Sequence, residues 1–110
     1  MYHLDSMTPL HKKKAVEANL QRYFTVEWGL FFGESTTGMI NMHHPKVPQQ
    51  PNNYDCGLFV LQSIDEIRVV WTNRGIIDPA LFSENWYKPK VAQSLRKKIR
   101  KIALDIMCCR

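Results

Sequence analysis

The sequence predicts an α+β fold, rich in helix, with only a small sheet remnant. Two observations predict the helices: apolar residues recur at helical spacing along 55–71 and again along 91–107, and a shorter stripe runs from Val16 to Phe24. A third predicts the sheet: the apolar pieces near residues 2–5 and 39–47 are too short, and too broken by proline, for more than one or two strands.

In chain order, Tyr2-His3-Leu4-Asp5 reads as a strand end and Ser6 to Pro9 as a turn. Lys12 to Trp28 reads as a helix started at Thr8-Pro9, because Val16, Leu20, Tyr23 and Phe24 share one face. Gly29 to Phe32 is a separate apolar piece, and Gly33 to Gly38 a polar loop. Met39 to Val47 suits a strand, which Pro45 interrupts. Pro48 and Pro51 then hold the two glutamines between them on an extended path. From Asp55 a helix begins, with Val60, Ile64, Ile67 and Trp71 as its stripe, and a loop spans Thr72 to Pro79. The last helix runs from about Val91 to Met107. Leu95, Ile99, Ile102 and Ile106 form its apolar face, and Arg96, Lys97, Lys98, Arg100 and Lys101 fall mainly on the other.

The length of 110 residues, at 45% hydrophobic and 23% charged, suits one globular domain covering 1–110. No apolar run approaches the ~20 residues that cross a bilayer, and no secretory signal is visible. Three cysteines, Cys56, Cys108 and Cys109, form no disulfide framework and no CxxC pair. A reducing intracellular compartment, nucleus or cytoplasm, fits best. Residues 88–110 hold eight Lys/Arg and one Asp, a local +7, so the total of +5 leaves −2 on residues 1–87. That distribution disfavours a dedicated nucleic-acid binder. It allows a docked helix with a charged outer face, a patch for acidic partners or nuclear import, or a membrane-surface helix; the last is disfavoured because packing needs the apolar stripe.

Cys56 opens the central helix. A thiol there sees the positive end of the helix dipole and unpaired backbone N–H groups, both of which favour thiolate. Gly57 removes bulk beside the sulfur, so a carbonyl can approach. The Cys56 N–H can serve as one oxyanion donor, and the Gln50 side chain, held between prolines, is placed to be the second. The competing reading is a buried structural cysteine. Asp55 is either a helix cap or part of the site. Trp71 and Trp86 read as core or shelf aromatics, Asp65-Glu66 as a solvated face, and Cys108-Cys109 as frayed, unpaired thiols.

Val47-Pro48-Gln49-Gln50, Asn53 and Asp55-Cys56-Gly57 resemble the nucleophile signature of the ubiquitin-like protease family, the sentrin (SUMO)-specific cysteine peptidases. Leu4-Asp5-Ser6-Met7 resembles its strand-end motif, and Asn85-Trp86-Tyr87 with the following helix its closing segment. The resemblance implies the C-terminal part of a papain-like catalytic domain. Cys56 would be the nucleophile, Gln50 with the Cys56 N–H the oxyanion hole, and Asp5 the carboxylate that orients the catalytic imidazole. It implies no metal and no organic cofactor, and as partner SUMO or another ubiquitin-like modifier and its conjugates.

In the family the catalytic histidine sits in a His-Trp pair on the strand before Leu-Asp-Ser, whereas this sequence begins four residues before Asp5. His3 lies on the right strand face but does not match that position. His11 reads as solvent-facing, and His43-His44 as an edge or loop pair whose side chains point to opposite faces. These 110 residues alone are therefore expected to be a weak or inactive protease. A non-catalytic modifier-binding remnant and a related thiol acyltransferase are the alternatives.

Overall fold

A computed structural model describes residues 1–8, 12–33 and 38–109. Three long helices carry the chain: α1 (Lys13–Phe32), α2 (Cys56–Arg74) and α3 (Pro89–Cys108), with a short 3-10 turn at Pro79–Leu81 before α3. The expected helix start at Pro9, the solvent-facing His11 and most of the 33–38 loop lie outside the described residues.

Two helix ends differ from the sequence expectation for the same reason. The pieces at Gly29–Phe32 and Thr72–Arg74, expected outside the helices, continue α1 and α2. Each helix stops only where a glycine can take a left-handed conformation. Gly33 (φ 68°) donates its N–H to Gly29 O at 3.0 Å, and Gly75 (φ 68°) to Trp71 O at 2.8 Å. Helix α3 begins at Pro89, whose missing N–H has no partner to lose there, and takes in Cys108, one of the two thiols expected to be frayed.

The expected sheet remnant is corrected to a single step. Among the described residues there is no strand, only one parallel bridge between Tyr2 and His43. His3 N donates to His43 O at 2.9 Å and His43 N to Met1 O at 2.8 Å. Pro45 supplies no N–H to extend the ladder. The bridge is parallel because α1 crosses between its two sides, as parallel pairing requires.

Helices α2 and α3 pack on each other, and α1 packs on neither. The core under the site is small: Phe59, Tyr87 and Ala92, with Trp86 against it. The Tyr87 hydroxyl lies 2.9 Å from Ser63 Oγ and 3.3 Å from the carbonyl oxygen of Phe59. Phe82 joins this core to the bridge, its ring 5.0 Å from Tyr2 and 5.2 Å from Trp86.

The buried face of α2 is therefore Phe59, Gln62 and Ser63, one position away from the expected stripe, and Val60, Ile64 and Trp71 are more than half exposed. Trp71 is no core aromatic. On α3, Ala92 is fully buried and Leu95 half-buried, whereas Ile99, Ile102 and Ile106 are exposed. On α1, Val16, Leu20 and Phe24 are half-buried and Tyr23 exposed. The radius of gyration, 17.5 Å, exceeds the roughly 13 Å of a compact chain of this length. The apolar periodicity forms the helices but is only partly buried by these residues.

Candidate active site

Cys56 is the first residue of α2 and is exposed. It is not a buried structural cysteine. The Asp55 carbonyl accepts the first helical bonds, from Leu58 N at 2.9 Å and Phe59 N at 3.1 Å. A β-carbon built on Gly57 would meet nothing within 4 Å, so packing does not demand the glycine, and the space beside Cys56 is open.

Asp55 occupies the N-cap position without capping through its side chain. Its carboxylate is buried and points to α3. Oδ2 accepts from Asn52 Nδ2 at 2.7 Å and Gln93 Nε2 at 3.3 Å, and Oδ1 pairs with Arg96 Nη2 at 2.5 Å. The Asn52 amide foremost, against the opposing effect of burial, and then Arg96 and Gln93 hold the Asp55 carboxyl below the usual range. Asn52 Oδ1 in turn accepts from Asp55 N at 3.0 Å and Tyr54 N at 3.2 Å, which shapes the turn that delivers Cys56. Asp55 thus ties the start of α2 to α3.

Gln50 reaches the sulfur. Its Nε2 donates to Cys56 Sγ at 3.2 Å and to Asn52 O, and its Oε1 accepts from Ser6 Oγ at 2.8 Å. The backbone repeats the link, Gln50 N donating to Ser6 O at 2.9 Å. Gln49 grips the same turn: Nε2 donates to Asp5 O at 2.9 Å, and Oε1 accepts from Thr8 N at 2.9 Å. Both glutamines thus fasten the Cys56 approach to residues 5–8, forty-odd positions earlier.

Asp5 stands on that turn but faces elsewhere. Its Oδ1 accepts from Met7 N at 3.0 Å. It lines a cavity of about 790 Å³ with His3, His44 and Lys12 to Lys14, and Cys56 does not line it. His3 Nδ1 lies 3.0 Å from His44 Nδ1, and His44 Nε2 lies 2.8 Å from Glu17 Oε1. No hydrogen bond joins His3, His43 or His44 to Cys56. The sequence neighbours Tyr54 and Gly57 line a separate groove with Leu58 and Arg96.

Of the three predicted site residues, then, Cys56 and Gln50 come together, and Asp5 is linked to them through its neighbour Ser6. Sequence reading missed Ser6, Asn52, Gln93 and Arg96. A signal for the last two existed: Arg96 lies one turn beyond Ala92, whose small side chain marks the face of α3 nearest α2.

An exposed thiol at the first position of a helix, with a side-chain amide donating to it, is a candidate cysteine nucleophile. The chain belongs to the Ulp1 protease family: the description of that family's C-terminal catalytic domain matches residues 1–69. Among similar proteins, ubiquitin-like-specific protease 1C of Arabidopsis thaliana is 31% identical, over 94% of this chain and 20% of its own length. Sentrin-specific protease 6 of Mus musculus is 30% identical and sentrin-specific protease 7 of Homo sapiens 29%, each over 94% of this chain and 9% and 10% of their own lengths. The chain therefore spans a fifth or less of the relatives it matches. No helix among the described residues is long and apolar enough to cross a membrane.

Proposed function

We propose that this chain carries the thiol half of an isopeptidase that releases SUMO, or another ubiquitin-like modifier, from lysine side chains. The observation that carries the reading is the 3.2 Å contact from Gln50 Nε2 to the sulfur of an exposed Cys56 at the start of α2. Cys56 thiolate would attack the carbonyl carbon of the Gly–Lys isopeptide bond. The oxygen that gains the negative charge would be met by Gln50 Nε2–H and the Cys56 N–H. Collapse would expel the lysine amine, which takes a proton from an imidazolium, and leave a thioester. Water, deprotonated by the same imidazole, would then hydrolyse the thioester and restore the thiol. Membership of the Ulp1 family and the names of the relatives support the choice of modifier. The free thiols of Cys56, Cys108 and Cys109 suit a reducing compartment, nucleus or cytoplasm.

The turnover steps need an imidazole at the thiol. A second reading follows, favoured by the absence of any hydrogen bond between the described histidines and Cys56: these residues bind the modifier without turning it over. One experiment separates the two. The chain is incubated with a SUMO vinyl sulfone probe and with a SUMO–lysine isopeptide substrate. Covalent labelling lost in Cys56→Ser, together with substrate cleavage, supports the peptidase; labelling with cleavage at least ~100-fold below that expected of an intact triad supports the binding remnant. No labelling at all would sink both.

A further inference from the structure

We propose that Ser6 is the positioning residue that sets which end of the Gln50 amide faces the Cys56 sulfur. A glutamine amide has an accepting end and a donating end of nearly equal shape, and only its neighbours decide which points where. At Gln50 the decision is made from both sides. Ser6 Oγ donates to Oε1 at 2.8 Å, and the Asn52 carbonyl takes one of the two Nε2 hydrogens. That leaves one N–H for the sulfur, at 3.2 Å. Turned over, the amide would set Oε1 against the Asn52 carbonyl oxygen and against a sulfur that is richest in electrons as thiolate. Both contacts would be acceptor against acceptor.

Ser6 is itself fixed, since its carbonyl accepts Gln50 N at 2.9 Å and it sits in the turn that the Asp5 carboxylate and Gln49 hold. The two residues lie 44 positions apart, so the lock forms only when the 5–8 turn has docked on the 47–52 segment. Ser6 would thereby couple the turn bearing Asp5 to the polarity of the thiol site. Asn52 alone holds one end of the amide; Ser6 holds the other, and without it the side chain can swing off the sulfur.

The proposal rests on the thiol site described above, but its test needs neither a modifier nor a histidine. The rate of Cys56 alkylation by iodoacetamide is followed against pH, with Cys108 and Cys109 changed to alanine and the Cys56 peptide read by mass. Ser6→Ala is expected to slow alkylation at pH 7 by about three- to tenfold, the worth of one hydrogen bond, and to move the pH–rate profile to higher pH. Ser6→Thr, which keeps the hydroxyl, should restore both. In a Gln50→Ala background Ser6→Ala should change nothing further. Circular dichroism of each variant separates these effects from unfolding. A Ser6→Ala profile that superimposes on the parent's, or an undiminished Ser6→Ala effect when Gln50 is already alanine, would overturn the proposal. Loss of vinyl sulfone labelling with this pattern intact would instead count against both readings of the function and leave the role of Ser6 standing.

Discussion

The two halves of the molecule are held together by different means. In the half built from α2, α3 and the 47–55 approach, a small apolar core and a polar network act on the same residues. Phe59, Tyr87 and Ala92 close the helix pair, and about one turn away Asp55 joins Asn52, Gln93 and Arg96 at the head of α2. In the other half, α1 packs on no helix, and none of its residues is fully buried. Side-chain hydrogen bonds attach it: Gln21 Nε2 donates to Gly38 O, Gln21 Oε1 accepts from Ile40 N, and Glu17 Oε1 lies 2.8 Å from His44 Nε2. A side chain is held precisely when its rotamer is fixed from several directions, as Asp55 is in the first half and Gln50 is with the help of Ser6.

The sharpest way to break the contrast is to hollow out the first half. Phe59→Ala should cost about 3–5 kcal/mol, because the side chain is almost fully buried and the backbone around it is tied by the Tyr87 hydroxyl. Phe24→Ala, at a half-buried site on α1, should cost only about 1–2 kcal/mol by the area it covers. Denaturant unfolding followed by circular dichroism gives both values. Equal losses would mean that the halves do not differ in packing.

A smaller effect should come from the polar tie. Arg96→Ala leaves the buried Asp55 carboxylate without its cation, and should lower the unfolding midpoint by less than Phe59→Ala does. It should also change the response to acid. The folded state holds the Asp55 carboxyl below its ordinary range, through Asn52 first and then Arg96 and Gln93. The stability it contributes is therefore fully present above the unfolded carboxyl's value near 4, and is lost as pH falls below that toward the folded value. Midpoints measured from pH 6 to pH 2.5 should show a decline below pH ~4 that Asp55→Asn flattens. An unchanged acid limb in Asp55→Asn would show that the tie contributes nothing.

How much of this was legible in the sequence follows the same division. The helices were legible, because Val16 to Phe24 and the two later stripes carry a helical period whatever they pack on. Which side each helix buries was not. Val60, Ile64 and Trp71 fit the period as well as Phe59 does, and only the position of α3 decides between faces one residue apart. The helix ends at Gly33 and Gly75 were hidden because glycine is tolerated inside a helix, as at Gly29, and stops one only where its backbone turns left-handed. At the site, Cys56 and Gln50 were legible because their chemistry is local: a helix start and a proline-bracketed segment six residues away. Asp5 was read at a strand end just before the turn, but its outlook toward the histidine-lined cavity depends on tertiary geometry. Ser6 was invisible for a similar reason, and Arg96 was marked only by Ala92 one turn before it. Their partners lie 44 and 41 residues away, and neither residue type announces such a role.

The finest test of the contrast concerns how α1 is attached. His44 is largely buried between His3 and the Glu17 carboxylate, which itself is nearly half exposed. An exposed partner is shared with water, so this contact should be worth less than about 1 kcal/mol. Glu17→Gln keeps a hydrogen-bonding end at the same reach and removes the charge. It should leave the global unfolding midpoint nearly unchanged, yet raise amide exchange in the first turns of α1 by up to about fivefold, because Glu17 sits in those turns and α1 packs on no other helix. Exchange in α2 and α3 should not move. Faster exchange spreading into α2 would mean that α1 and the thiol helix open as one unit, and the two halves would then be a single cooperative body after all.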